Sequence, residues 1–214
     1  MLILAADTSL PMFSVALLTD RTVVGAIALE GKSSRNEKLL PAIDWLLAES
    51  GTDLRSIDLL AVTRGPGSFT GVRIGLATLQ GMALALERPL CAMSTHEAIA
   101  LGEGSGPGLL PHLETIAVID AAGRGEWYLS LFAGHAESAS ARLATAEERS
   151  AIADTVALTI DTADFLQHGN VAAACGRRAH EIAAAGRLDR YTDVTPIYVR
   201  LAEAEARLQS KTDG

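Results

Sequence analysis

The chain has 214 residues, enough for one large domain or two small ones with an ample core. Its 18 lysines and arginines face 26 aspartates and glutamates, a net charge of −8, which argues against a free-standing nucleic-acid binder because that needs a positive patch to displace counterions. Cys91 and Cys175 both lie in apolar runs and read as reduced core thiols of a cytoplasmic protein, and no apolar run reaches the length of a membrane span.

The opening run Met1–Asp7 is short, lacks a positive leading segment and meets an aspartate at once, so it reads as a first strand and not as a signal peptide. Three strands are expected at Leu2–Ala6, Ser14–Thr19 and Val23–Leu29, spaced as two hairpins. A helix follows over Glu37–Ser50 and stops at Gly51. The apolar run Leu59–Thr63 leads into Gly65-Pro-Gly-Ser-Phe-Thr-Gly71, and a helix runs on from Thr70 to Glu87. Thr70 or Ser68 can cap it, and glycines at 65, 67 and 71 allow positive φ and close backbone approach. Such a junction suits an anion, but no Gly-Lys-Ser/Thr closes it, and locally a turn that merely caps a helix explains it best. Pro89–Met93 reads as another strand, and Gly102–Gly108 as a flexible connector.

The second half opens with Thr115–Ile119 and Asp120, turns at Ala122–Gly125 and continues as a strand over Glu126–Phe132. An apolar strand ending in Asp, a small-residue turn and a second strand therefore occur twice, at Leu2–Leu18 and Ile116–Phe132, a weak internal repeat. Residues 135–165 are polar, alanine-rich and poorly patterned. Asn170–Cys175 reads as a buried strand, Arg177–Ala185 as a helix, and the residues after Ala202 as a charged tail. A meander followed by β/α alternation implies a mixed sheet with helices packed on it.

The two main helices differ. The first sets Leu39, Leu40, Ile43, Leu46 and Leu47 on one stripe, with Trp45 roughly 160° away at 100° per residue. A lone exposed tryptophan is either a surface lid or an interface anchor. The second helix has one apolar stripe of Val72, Leu76, Leu79, Ala83 and Leu86, and a smooth one of Ile74, Thr78, Gly81 and Ala85. Arg73 is its one charge between Thr70 and Leu86. A helix apolar all round lies either at the centre of the fold or against another chain, and the second option is favoured. With 49% apolar residues and only 4% aromatic ones, the chain as a whole invites that reading.

Chemistry is sparse. Asp7-Thr8-Ser9 ends the first strand, where an aspartate and hydroxyls hold a metal phosphate in some proteins, but an Asx or ST turn is the commoner outcome. The histidines at 96, 112, 135, 168 and 180 form no ligand pair, so no metal site is expected. Ser68 is not in a Gly-x-Ser-x-Gly elbow, and spacing names no acid–base pair.

Taken together, these residues resemble the bacterial TsaB family, also called YeaZ and grouped with the glycoprotease-like proteins. The resemblance is carried by Ile3–Ser9 with Ser14–Leu17, by Leu39-Leu-Pro41 opening the first helix, and above all by the complete motif Gly65-Pro-Gly-Ser-Phe-Thr-Gly-Val-Arg-Ile-Gly75. Ile119-Asp-Ala121 with Gly125-Glu126 and Tyr128, and Pro196–Arg200, extend it. Two departures stand out: Arg35 where many relatives carry histidine, and an extra residue within Asp120-Ala-Ala-Gly-Arg124.

The resemblance implies an α/β protein of actin/hexokinase (ASKHA) type with two ribonuclease-H-like halves, the second reduced. The halves are expected at 1–101 and 109–202, with a polar tail at 203–214. It implies a non-catalytic partner subunit in tRNA threonylcarbamoyladenosine formation, paired with the catalyst TsaD, joined by the ATPase TsaE, self-pairing when alone, and meeting tRNA only within the complex. The helices opened by Leu39 and Thr70 would carry the pairing surface, with Trp45, Arg73, Ile74, Thr78, Gly81 and Ala85 as its residues. Asp7, Thr8, Ser9, Gly67 and Ser68 would be a vestigial nucleotide or anion site. No catalytic residue, metal or obligatory cofactor is expected, with ATP or ADP confined to the junction with the partner, in a cytoplasmic protein away from membranes. The rival readings are a phosphotransferase of the same fold, disfavoured by the short turn after Asp120, and a metallopeptidase, disfavoured by the missing histidine pair.

Overall fold

A computed structural model describes residues 1–30, 35–102, 115–134, 136–188 and 194–199. The expected connector, His112, His135 and the tail lie wholly or almost wholly outside the described residues. Three strands, β1 (Leu2–Asp7), β2 (Met12–Thr19) and β3 (Thr22–Glu30), form an antiparallel meander. Helix α1 (Arg35–Glu49) leads to β4 (Leu59–Thr63), α2 (Phe69–Leu86) to β5 (Leu90–Met93), and both strands join parallel in the order β3-β2-β1-β4-β5. Helix α3 (Thr95–Gly102) closes this half.

The pattern then recurs. β6 (Ile116–Gly123), β7 (Glu126–Ala133) and β8 (Ala136–Ala144) form a second meander, and α4 (Ala146–Ala153) leads to β9 (Leu158–Asp161), parallel to β6 and followed by the short α5 (Thr162–Phe165). The sheet order β8-β7-β6-β9 is the first one without its fifth strand. This is the two-halved architecture expected, with the second half reduced. The extra residue after Asp120 is absorbed by a bulge: Ala121 pairs with Trp127 and Gly123 with Glu126, so the register skips Ala122.

Alternation explains why β1 and β4 are apolar up to their last residues, Asp7 and Thr63. Leu4, Ala6, Leu60 and Val62 pack under α1 and α2, while Ile3, Ala5, Leu59 and Ala61 face the opposite side. A strand covered on both faces has no polar side to show. The opposite side is covered by α6 (Val171–Ala184), a second-half element, through Ala172, Cys175 and Ala179.

That helix corrects the expected strand at Asn170–Cys175 and helix at Arg177–Ala185. Asn170 caps the single helix, its Oδ1 accepting from the Ala173 N–H at 2.9 Å, and alanine favours helix over strand. The apolar run is buried, as expected, but on a helix face. Pro41 also sits inside α1, whose first turns precede the Leu39–Pro41 segment expected to open it. Residues 171–184 and 194–198 pack on the first sheet and on α2, because without α6 one face of that sheet would be bare. Helix α3 and the elements β8, α4 and β9 were not anticipated.

Candidate functional site

Between the halves lies a cleft of about 560 Å³, lined by Ser9, Gly67 and Ser68 on one wall and by Asp120, Tyr128 and Thr162 on the other. Glu30 also lines it; among the described residues no lysine or arginine does. The strands β1 and β6 deliver Asp7 and Asp120 to equivalent places, as their repeat predicts.

The hydrogen bonds of the first wall are turned inward. Asp7 is fully buried, and its Oδ1 accepts from the Ser9 N–H at 3.2 Å, the Ser9 hydroxyl at 2.6 Å and the Thr63 hydroxyl. This is the Asx turn that sequence left as the commoner outcome. Asp7 Oδ2 is buried without a hydrogen-bond partner. Burial raises the Asp7 carboxyl above the usual carboxylate range, against the pull of the Ser9 and Thr63 hydrogen bonds. Thr8 donates its hydroxyl to the Gly71 carbonyl at 2.6 Å, and Ser9 Oγ lies 2.8 Å from Thr95 Oγ1.

The glycine turn seals this wall. The Ser68 N–H donates to the Ser9 carbonyl at 2.7 Å, and the Gly71 N–H to Ser68 Oγ at 3.2 Å. Gly67 has φ +147°, and a Cβ there would collide with the Ser9 backbone. Gly75 lies so close to Thr8 that a side chain would strike its hydroxyl. The Ser68 amide, in the turn that suits an anion, is thus committed within the chain, and Ser68 rather than Thr70 caps α2.

Asp120 is 9% exposed and accepts from Thr162 Oγ1 at 2.6 Å. Burial pushes its carboxyl up; hydrogen bonds from Thr162 and the Ala121 backbone oppose this, while the charges of Asp161 and Asp7 add to it. Towards the several negative charges of ATP or ADP, the described lining of the cleft turns the carboxyl groups of Glu30 and Asp120. As arranged, Asp7 Oδ1 and the Thr8 and Ser9 hydroxyls hydrogen-bond within the chain. Among the described residues, no group of three or more His, Cys, Asp or Glu is set to hold a metal.

Sequence reasoning missed His96, which is fully buried where α3 meets the second sheet. Its Nδ1 lies 2.8 Å from Ser130 Oγ on β7, and its Nε2 has no hydrogen-bond partner. Burial lowers its pKa to about 3, so the ring is neutral. Only contact between the two halves gives this residue its setting, and spacing carries no trace of it.

The second candidate surface is the outer face of α2. Arg73, Ala77, Gly81, Leu84 and Ala85 are exposed, and Ile74 and Thr78 are half-buried. Val72, Leu76, Leu79 and Ala83 face the core. The smooth stripe is thus divided: Ile74 packs against the core and Thr78 is half-buried, whereas Gly81 and Ala85 are exposed. Trp45 is 56% exposed and stands apart from that stripe, lining a groove of about 410 Å³ with Ile27 and Leu29 of β3 and with Lys38, Pro41 and Ala42 of α1.

The two related halves and the cleft between them define an actin/hexokinase-type fold. The family model described as TsaD: tRNA N6-adenosine threonylcarbamoyltransferase matches residues 30–204. The tRNA threonylcarbamoyladenosine biosynthesis protein TsaB of Escherichia coli (strain K12) is 42% identical over 121 residues, 56% of this chain and 51% of that protein. Its Bacillus subtilis (strain 168) counterpart is 33% identical over 132 residues, 62% of this chain and 55% of the relative. The matches thus span about half the length of these curated relatives. The solved structure of YeaZ from Pseudomonas aeruginosa superposes with a TM-score of 0.72 at 24% identity, over 92% of this chain and 99% of that one, a likeness of fold. The chain belongs to this threonylcarbamoyltransferase-related family, on its TsaB/YeaZ branch.

Proposed function

We propose that this chain is a non-catalytic partner subunit in the formation of tRNA threonylcarbamoyladenosine, acting in the cytoplasm and pairing with TsaD through the outer face of α2. Gly81 carries the reading. It lies in the middle of an 18-residue helix, and a Cβ there would meet nothing within 4 Å. A mid-helix glycine costs about 1 kcal/mol relative to alanine, and nothing among the described residues requires one at Gly81. A second helix approaching closely from outside would require it, and the exposed Ala77, Leu84 and Ala85 supply the apolar surface around it.

The inward hydrogen bonding of Asp7, Thr8 and Ser9 supports a subunit that needs no cofactor of its own. ATP or ADP then belongs to the partner's side of the junction, TsaE joins the pair, and tRNA meets the chain only within the assembly. Without a partner, the same face closes on a second copy.

The test is reconstitution of tRNA modification with TsaD and TsaE, with and without this chain, alongside sizing of each mixture. Modification at full rate without the chain would sink the proposal. Gly81→Arg is expected to melt like wild type and to abolish both pairing and modification. Unfolding of that variant would return the stripe to the interior.

A further inference from the structure

Arg73 continues the exposed line of α2, one helical turn before Ala77 and two before Gly81. Its setting is built from two distant parts of the chain. The guanidinium carbon lies 3.7 Å from the Phe69 ring centroid and 5.5 Å from that of Tyr198. Nε donates to the Tyr198 hydroxyl at 2.7 Å, and the two rings lie 4.6 Å apart. Tyr198 arrives on the segment Val194–Val199, which is tied down by the Ile197 N–H donating to the Arg64 carbonyl at 2.7 Å and by Gln80 Nε2 donating to the Val194 carbonyl at 3.2 Å.

This clasp fixes the guanidinium plane and, among the described residues, occupies only Nε. Among the described residues Arg73 has no carboxylate partner, in a chain of net charge −8. A flexible surface arginine would lose side-chain freedom on binding; one already stacked and bonded loses less. The two Nη groups remain as donors with the planar geometry that suits a carboxylate.

We propose that Arg73 is the charged anchor of the α2 docking face and receives an aspartate or glutamate carboxylate of a protein partner, with Tyr198 as its positioning residue. This rests on the docking reading of Gly81 above. A protein carboxylate is preferred to an RNA phosphate because Arg73 shares its line with apolar Ala77, Gly81 and Ala85, while RNA binding needs several cations together.

The experiment measures TsaD binding by calorimetry at about 0.05 M and about 0.5 M salt, where exposed charges are weakly and strongly screened. Wild type, Arg73→Gln, Arg73→Lys, Tyr198→Phe and Gly81→Arg are compared, each first checked for wild-type melting. At low salt Arg73→Gln is expected to bind about tenfold more weakly and to lose most of the salt dependence, as for a desolvated interfacial charge pair. Arg73→Lys falls between, and Tyr198→Phe loses about threefold by freeing the guanidinium. If Gly81→Arg abolishes binding while Arg73→Gln binds like wild type at both salts, the anchor is overturned and the docking face stands. A loss in Arg73→Gln that is equal at both salts makes Arg73 a packing residue and also overturns it. If Arg73→Gln binds TsaD normally but the assembled complex loses tRNA affinity, the ligand is phosphate and the proposal is wrong. Wild-type binding by Gly81→Arg removes the docking reading itself.

Discussion

Among the described residues, Asp7 and His96 are the two fully buried ionisable side chains that keep an unpartnered polar atom, and they respond to pH in opposite directions. His96 is neutral in the folded chain down to about pH 3, whereas an unfolded histidine takes up a proton below about pH 6.5. The unfolded state therefore binds more protons as pH falls from about 6.5 towards 3, and stability declines across that window. Replacing His96 with Gln, which cannot take the proton, should remove about 2 kcal/mol of the decline seen in urea unfolding between pH 7 and pH 5. Equal slopes in the two proteins would show that the ring is not held neutral. Asp7 has the reverse sign: its folded pKa is raised, so its charge costs stability once pH climbs above the unfolded value. Asp7→Asn keeps an acceptor for Ser9 and Thr63 and discards the buried charge. It is expected to unfold at neutral pH at an equal or higher urea concentration and to leave tRNA modification intact. Loss of modification with a stable fold would instead give Asp7 a chemical role.

On α2, two glycines make opposite predictions. Gly81→Ala adds a methyl group in open space on a helical backbone, so the isolated protein should gain about 0.5–1 kcal/mol. Its pairing should weaken if the glycine serves close approach. Gly75→Ala drives a methyl into Thr8, whose hydroxyl binds the Gly71 carbonyl, and should cost about 1–3 kcal/mol. Thermal melts of the two variants beside wild type test both signs at once. An identical response at both positions would mean that burial along α2 is misplaced. Helix α6 shows how an element escapes periodicity. Val171-Ala-Ala-Ala-Cys175 is apolar at every position, which suits a buried strand as well as a buried helix, and the Asn170 cap together with the alanines decides between them. The edge strand β8 is largely exposed and gives no alternation to read.

At the scale of the molecule, the second half completes the first. The sheet face formed by Ile3, Ala5, Leu59 and Ala61 is covered by α6, and α3 meets α6 so closely that a side chain at Gly102 would strike the Ala174 backbone. A fragment of residues 1–102 should therefore fail to fold cooperatively. It is expected to bind a hydrophobic dye and to melt without a sharp transition; a cooperative melt would show that α6 is dispensable. The sequence by itself determined the repeated strand–turn–strand units, the glycine turn, the two-sided apolarity of α2 and, through Gly65–Gly75, the family. These are local patterns of chain chemistry, set by strand alternation, helix period and the backbone freedom of glycine. Tertiary structure alone decided that Asp7, Thr8 and Ser9 spend their hydrogen bonds inside the chain, that His96 is sealed between the halves, and that Tyr198 crosses 125 positions of sequence to hold Arg73. Each depends on which distant segments meet, and a single sequence holds no record of partners so far apart.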